Sequence, residues 1–548
     1  MTGASQTTPR ESRLLHAASL LTIGIAAWTV LTTIAGVIAA SCNLPYADEW
    51  DLWTSLLRHG YSLGWFFELH NDHRIATTRL IFAASHLIFH GRIWVPQATS
   101  LTVQAVLAVL LWKFARRLSA PGPADGILAG TTVCCLFSGQ QSINFFWGFQ
   151  VQFFLVYALA AGALFALTRA AEAFKEAPRA RWMIASLLLA AASSYSMANG
   201  VLLWPILVSA ALCLRLRRSW IAATAACGLA VLAQYFTGWH RSVLDAPAPA
   251  GRILRFALAH AGTPIVPLAK WLGAGDSARD AIAIAAGGIA IGGAAWMWLR
   301  SRTGKAAALA HFAVFTAAAS FAIASGRAHL PLAEAFRSRY ITPAYILWVS
   351  VLLLAWPRWR AADGKKRSSA PLLAGAAAVL LVAAGIAPFQ FAKLREAGEY
   401  GASLQQASAA LAAGVNDPDV WPYLLRPVTD SREAVEWLRQ NHLAIFSEEW
   451  TEWVGRTVGG AGECAGGISQ PVPIHDSTRP GWRIAGSIGS GVKIVVLARE
   501  AGGVIESASP VISERWTLYA HPGGSIVNVY GLRPDGRSFC LAGKQELR

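Results

Sequence analysis

Three carboxylates, Asp48, Glu49 and Asp51, fall within four positions of the stretch "NLPYADEWDLW", residues 43–53. A long apolar run, residues 14–40, comes directly before it. A carboxylate at the edge of a membrane is costly unless it reaches water or serves a function, and one that is held there can take a proton from a hydroxyl as a general base. Helical spacing puts Asp48 and Asp51 on one face and Glu49 on another, with Trp50 and Trp53 together at headgroup depth as anchors. The alternative is a solvated acidic first turn of an interfacial helix, stabilised by the helix dipole.

A second cluster is "HNDHR", residues 70–74. His70 and His73 have a spacing that can hold a divalent metal, with Asp72 between them, but HxxH without a third ligand is a weak signal. Hydrogen bonding to a polar substrate or to neighbouring carboxylates is the favoured role, and no metal or other cofactor is expected. Arg74 and Arg79 offer planar forks that suit phosphate oxygens, on a substrate or on lipid headgroups. The third cluster is "GRAHLPLAEAFRSRY", residues 326–340, carrying Arg327, His329, Arg337 and Arg339, with Tyr340 where the chain re-enters the apolar phase. Basic side chains at that depth can clamp the phosphate of a lipid carrier or bind headgroups. Asn199 in "SMANG" adds an amide at the same level, and "INFFWGFQ", residues 143–150, adds aromatic surface.

These residues need apolar elements to position them. Of 548 residues 54% are hydrophobic and 14% charged, and the mean hydropathy is +0.41. The apolar residues come in blocks the length of membrane helices, which implies an α-helical polytopic membrane protein. A net charge of +16 raises the question of nucleic acid, but Arg and Lys cluster in short loops between apolar runs, so no nucleic-acid partner is expected. Taking basic loops as cytoplasmic, runs at residues 14–40, 96–112, 126–142, 151–168, 182–197, 201–214, 220–237, 281–299, 306–325, 340–356 and 370–391 give about eleven crossings. The N-terminus is then cytoplasmic and the C-terminus extracytoplasmic. By the same parity the apolar stretch at residues 75–90 lies along the outer interface, and residues 253–272, with Pro264 and Pro267, are re-entrant or interfacial unless they cross fully.

The expected domains are a transmembrane domain, residues 1–391, with a first extracytoplasmic loop at 41–95, an extracytoplasmic helical linker, 392–480, and a β-rich domain, 481–548. The linker carries amphipathic helical patterns at residues 393–413 and 431–445. Beyond residue 481, short alternating segments such as "VKIVVLA", "WTLYA" and "SIVNVYGL" predict a small β-sandwich. Its Trp482 and Trp516 suit a core or a sugar platform equally. Cys464 and Cys540 lie in this exported region, where a disulfide between them would persist, although spacing alone does not establish the pair.

A first helix, a long outer loop opening on the acidic pair of "YADEW", many further helices and an exported C-terminal region together resemble the GT-C superfamily of membrane glycosyltransferases. The chain is also similar to a group of bacterial multi-pass proteins with "DEWD", "HN-acidic-HR", "WGFQ" and "SMANG" segments, a likeness that carries no reaction with it. The GT-C resemblance implies that Asp48, with Glu49 beside it, is catalytic and that the donor is a polyprenyl-phosphate-linked sugar. From their residue types and depth, Asp51, His70, Asp72, His73, Arg74, Arg79, Asn199, Arg327, His329, Arg337, Arg339 and Tyr340 are the substrate-binding candidates, and the resemblance implies that Arg327, Arg337 or Arg339 holds the leaving phosphate. The expected activity is sugar transfer to a glycan, lipid or protein acceptor at the outer face of a bacterial inner membrane. A transporter or flippase of lipid-linked glycans, or a glycan polymerase or ligase, is the alternative.

Overall fold

Long apolar runs leave their backbone groups no partner but their own helix, and the computed structural model is accordingly mostly helical. It describes residues 9–119, 121–122, 124–239, 248–366, 370–420, 422, 432–459, 461–476, 478–489, 491–500, 503–523 and 525–547. The chain groups into two units, one of Met1–Val37, Phe66–Thr78 and Gln97–Arg395, the other of Ile38–Trp65, Arg79–Pro96 and Glu396–Arg548.

The helices are α1 Pro9–Ala40, α2 Glu49–His59, α3 Leu63–Phe67, α4 Ala76–Phe89, α5 Trp94–Leu118, α6 Asp125–Leu136, α7 Ser142–Phe146, α8 Val151–Glu172, α9 Glu176–Ser194, α10 Leu203–Cys213 and α11 Arg218–Phe236. They continue with α12 Ala250–Ala261, α13 Val266–Trp271, α14 Asp276–Ser301, α15 Ala307–Arg327, α16 Thr342–Lys366, α17 Ala370–Ala413 and α18 Arg432–Gln440. Among the described residues six stretches are long and apolar enough to cross a membrane, namely Pro9–Ala40, Trp94–Leu118, Gly148–Glu172, Arg218–Phe236, Asp276–Ser301 and Gly304–Arg327. Ala76–Phe89, Ala198–Cys213 and Thr342–Pro357 are apolar but shorter.

The first unit is built around α8, which is apolar on every side and has 78% of its most apolar window buried, against 17% for the peripheral α11. Residues 253–272 form two short helices, α12 and α13, interrupted at Pro264, whose missing N–H breaks the ladder. At about 1.5 Å per residue α12 is about 18 Å long, too short to cross a bilayer alone. Residues 370–413, expected as two helices, form the single α17.

The second unit ends in two sheets. One has the order β3-β11-β10-β7-β8, from β3 Ala461–Glu463, β7 Ile494–Arg499, β8 Ile505–Pro510, β10 Ser525–Leu532 and β11 Phe539–Leu547. In the other, β6 Gly481–Ile488 pairs along one edge with β4 Gly466–Ile468 and β5 Val472–Ile474 and along the other with β9 Arg515–Ala520. Alternate residues from both sheets, including Ile484, Val495, Leu497, Trp516, Leu518, Val527 and Val529, form one buried core. The sandwich therefore starts some twenty residues before the expected boundary at 481, because β3 to β5 are three-residue strands too short and Gly-rich to show alternation. Trp516 is 3% exposed and belongs to this core, so it is no exposed sugar platform.

Cys464 and Cys540 are disulfide-bonded, with Cα atoms 5.2 Å apart and a sequence separation of 76. By loop-closure entropy a cross-link of this span is worth about 4–5 kcal/mol. Cys540→Ser is expected to lower the denaturant midpoint of the sandwich, read as earlier cleavage between Ala461 and Leu547 in pulse proteolysis of the full chain. An unchanged midpoint would mean the two sheets hold without it.

Candidate functional site

In the first unit, β1 Leu69–His70 and β2 His73–Arg74 form a minimal hairpin in which His70 faces His73 and Leu69 faces Arg74. Its turn needs a left-handed residue, supplied by Asn71 at φ 54°, a residue type that tolerates that region. The hairpin is fastened by Arg74. Its backbone N–H donates to the Tyr235 hydroxyl at 3.2 Å and its Nε to the Tyr235 carbonyl at 2.8 Å, while Nη1 and Nη2 donate to the carbonyls of Phe67 and Thr237. The last carbonyls of a helix lack partners within it, and a cation at that end is favoured by the dipole, so Arg74 caps α11. Arg74 is thus a buried buckle and not the phosphate fork its sequence position suggested.

The buckle presents Asp72 and His73 to a cavity of about 270 Å³. Asn199 enters it from the turn Ala198–Leu202, Arg327 from the last turn of α15, and Tyr340 from the turn Ser338–Tyr340. Gly200 makes the placement of Asn199 possible, since a Cβ there would stand 2.1 Å from the Ser193 carbonyl oxygen. Met197, Leu202, Phe236, Trp239 and Ile323 supply the apolar part of the lining. Trp239 Nε1 donates to the Asp72 carbonyl at 3.0 Å, tying the end of α11 to the hairpin.

Asn199 is 6% exposed, and its Nδ2 donates to the Tyr157 hydroxyl at 2.7 Å. Its Oδ1 has no donor among the described residues, so a hydroxyl or N–H entering the cavity meets an acceptor already desolvated. His73 Nδ1 lies 3.2 Å from Asp72 Oδ1. Burial pushes the His73 pKa below the ordinary histidine value; Asp72 opposes this, while His70 and Arg327 reinforce it. His73 is therefore neutral near pH 7, and Arg327 is the cation among these lining residues.

Not every residue singled out in the sequence reaches this cavity. His70 is buried with its ring 5.0 Å from that of Phe149. Arg337 is exposed and paired with Glu334 at 2.8 and 3.0 Å, which raises its pKa. Arg339 lies 4.8 Å over the Tyr340 ring, and its carbonyl accepts from Asn144 Nδ2 at 3.1 Å. The His329 carbonyl accepts from Arg252 at 3.2 Å. Tyr235, Phe236 and Trp239 were not anticipated; the only sequence signal is an aromatic run, "YFTGW", which also reads as an interfacial belt.

Asp48, Glu49, Asp51 and Arg79 belong to the second unit. Asp48 occupies the N-cap of α2, but its side chain makes no capping bond. Asp51 is half-buried in the first turn. Glu49 is 2% exposed and accepts the Tyr46 N–H at 3.1 Å through Oε2, so it braces the turn and is poorly placed for proton transfer. Arg79, 1% exposed, donates to the Trp65 carbonyl and lies 5.5 Å over the Trp65 ring, which removes it from any phosphate in solution. Trp50 and Trp53 are buried and not headgroup anchors, Trp53 packing 5.5 Å from His86 and 5.9 Å from Trp437.

Fold and cavity together define a polytopic helical membrane protein with a mainly apolar cavity in its helical unit, into which a few polar groups project. No family model and no curated protein matches the chain. Among solved structures it is similar to the crystal structure of ArnT from Cupriavidus metallidurans bound to undecaprenyl phosphate, at 12% identity and a TM-score of 0.43, over 84% of this chain and 96% of that one. The apo structure of the same protein gives 12% identity and a TM-score of 0.42, over 81% and 93%. A likeness of that size is one of general layout and gives no residue a role.

Proposed function

We propose that the chain is a membrane glycosyltransferase of the GT-C type, moving a sugar from a polyprenyl-phosphate donor to a glycan, lipid or protein acceptor of the cell envelope. The loop charges favour the outer face of the inner membrane as its place of action, with the N-terminus cytoplasmic and the C-terminus outside. What carries the reading is that one cavity is lined both by apolar side chains and by Arg327, Asp72, His73 and the unmet Asn199 Oδ1. An amphiphile with an isoprenoid tail, an anionic phosphate and a hydroxylated sugar meets each of these in turn.

In the proposed reaction a base takes the proton of an acceptor hydroxyl, whose oxygen attacks the sugar C1. The bond from C1 to the phosphate oxygen breaks, and the lipid phosphate leaves with the electron pair, its charge met by Arg327. Asn199 accepts a bond from a sugar hydroxyl. The GT-C resemblance alone, through "YADEW", nominates Asp48 as the base.

The reading is tested with full-length protein in nanodiscs and a labelled short-chain polyprenyl phosphate, with the matching phosphate-free prenol as reference. Wild type should prefer the phosphate form, and Arg327→Gln should weaken it about tenfold or more while leaving the prenol unaffected. Equal binding of phosphate and prenol by wild type would sink the reading.

A further inference from the structure

In the second unit α18 stops on a turn normally made with glycine. The N–H of Asn441 donates to the Trp437 carbonyl at 3.1 Å, that of His442 to Arg439 at 3.2 Å, and that of Leu443 to Leu438 at 2.9 Å. The residue after the last helical turn in such a stop is left-handed, a conformation that strains any residue with a Cβ. Here it is His442, at φ 52°, followed two positions on by Ala444 at φ 51°. A side chain kept where its absence would relieve strain points to a use for that side chain.

His442 lines a cavity of about 410 Å³ together with Arg439 and Arg456. Both arginines are held in place by aromatic rings, Arg439 at 4.9 Å over Phe446 and Arg456 at 5.0 Å over Trp453. Among the described residues Arg439 spends one donor on the Ala412 carbonyl, at 3.1 Å, and keeps others of its five N–H groups for a ligand. The lining acid is Glu452, 3.4 Å from Arg456. The cavity therefore keeps a net positive charge even with that pair formed. Burial pulls the Arg439 pKa down; Glu436 opposes this and Arg479 reinforces it, so an incoming anion relieves crowding of like charge.

We propose that this cavity binds an oxyanion carried on a sugar-sized molecule, a phosphorylated or carboxylated monosaccharide, with Arg439 and Arg456 pairing to the anion and His442 hydrogen-bonding beside it. The site does not depend on the transferase reading, since all of its residues lie in the second unit.

The test titrates glucose 1-phosphate, glucuronate, inorganic phosphate and neutral glucose into the full-length protein, by calorimetry and thermal shift. The two sugar anions should bind and stabilise, with glucose inert and inorganic phosphate weaker. Arg456→Gln should weaken the sugar anions about tenfold, while Arg327→Gln leaves them unchanged, which separates this site from the first cavity. His442→Gly should raise the melting temperature of the ligand-free protein and still lose several-fold in affinity. A purely structural histidine moves those two readouts together. Absence of sugar-anion binding, equal binding of glucose or of inorganic phosphate, or a His442→Gly variant that binds like wild type would each overturn the proposal.

Discussion

Asp48→Asn is expected to lower sugar transfer at least a hundredfold, the lower end of what a positioned general base contributes, while affinity for polyprenyl phosphate stays within about a factor of two. Asparagine keeps the shape of the side chain and loses its ability to accept a proton. An Asp at a helix N-cap normally turns its carboxylate to the helix and accepts from an N–H two or three residues on, at a gain of about 1 kcal/mol. Asp48 sits there with helical backbone angles, φ −63° and ψ −11°, and makes no such bond; the residue before it, Ala47, is left-handed at φ 51°. Glu49 is the natural control. It is buried against the Tyr46 N–H, and Glu49→Gln retains an acceptor for that bond, so transfer should survive. Initial rates with labelled polyprenyl-phosphate sugars decide between them: an active Asp48→Asn beside an inactive Glu49→Gln would move the base to Glu49. Wild-type protein that binds the lipid phosphate and transfers no sugar from any such donor would end the enzyme reading.

Asp72, His73, Asn199, Arg327 and Tyr340 come from three stretches singled out in the sequence, and they line one cavity. The same reading of Arg74 and Arg79 pointed at phosphate and found backbone carbonyls instead. Nothing in the sequence separates these cases, since a guanidinium satisfied by helix-end carbonyls and one awaiting a ligand have the same neighbours in the chain. Trp50 and Trp53 failed for a related reason: an amphipathic pair reads alike whether its apolar side meets lipid or the protein's own Trp437 and His86. The tight three-residue strands β3 to β5 were invisible because alternation needs length, whereas β7, β9 and β10, at six to eight residues, showed it.

Gly287→Val is expected to prevent assembly of the helices that carry Arg327, with a loss of folded protein larger than the few kcal/mol of ordinary overpacking. A Cβ on Gly287 of α14 would stand 1.8 Å from the Leu258 carbonyl oxygen of α12, and one on Gly262 would stand 1.8 Å from the Ala283 carbonyl oxygen of α14. The two helices cross backbone to backbone, a contact that only small residues permit and that packing in an apolar phase rewards. Since both atoms met are backbone carbonyls, no rotamer change can relieve the clash. The damage propagates because α12 is also the support of the cavity. Its Ala257 and Ala259 pack against Ala324 and Ala328 around the end of α15, where Arg327 sits. From the same helix His260 bonds Ser320 of α15 through Nδ1 at 3.0 Å and the Tyr340 carbonyl through Nε2 at 2.8 Å. A carbonyl can only accept, so Nε2 carries a proton and donates to it, which makes His260 a strut between α15 and the turn that carries Tyr340. Gly288 supplies the control, because a Cβ there meets nothing within 4 Å, and Gly288→Val should melt and bind polyprenyl phosphate much as wild type does. Any Gly287→Val that does fold should bind the lipid phosphate poorly even though every lining residue is intact. A Gly287→Val protein with wild-type melting and wild-type binding would show that α12 does not hold Arg327 and Tyr340 in place.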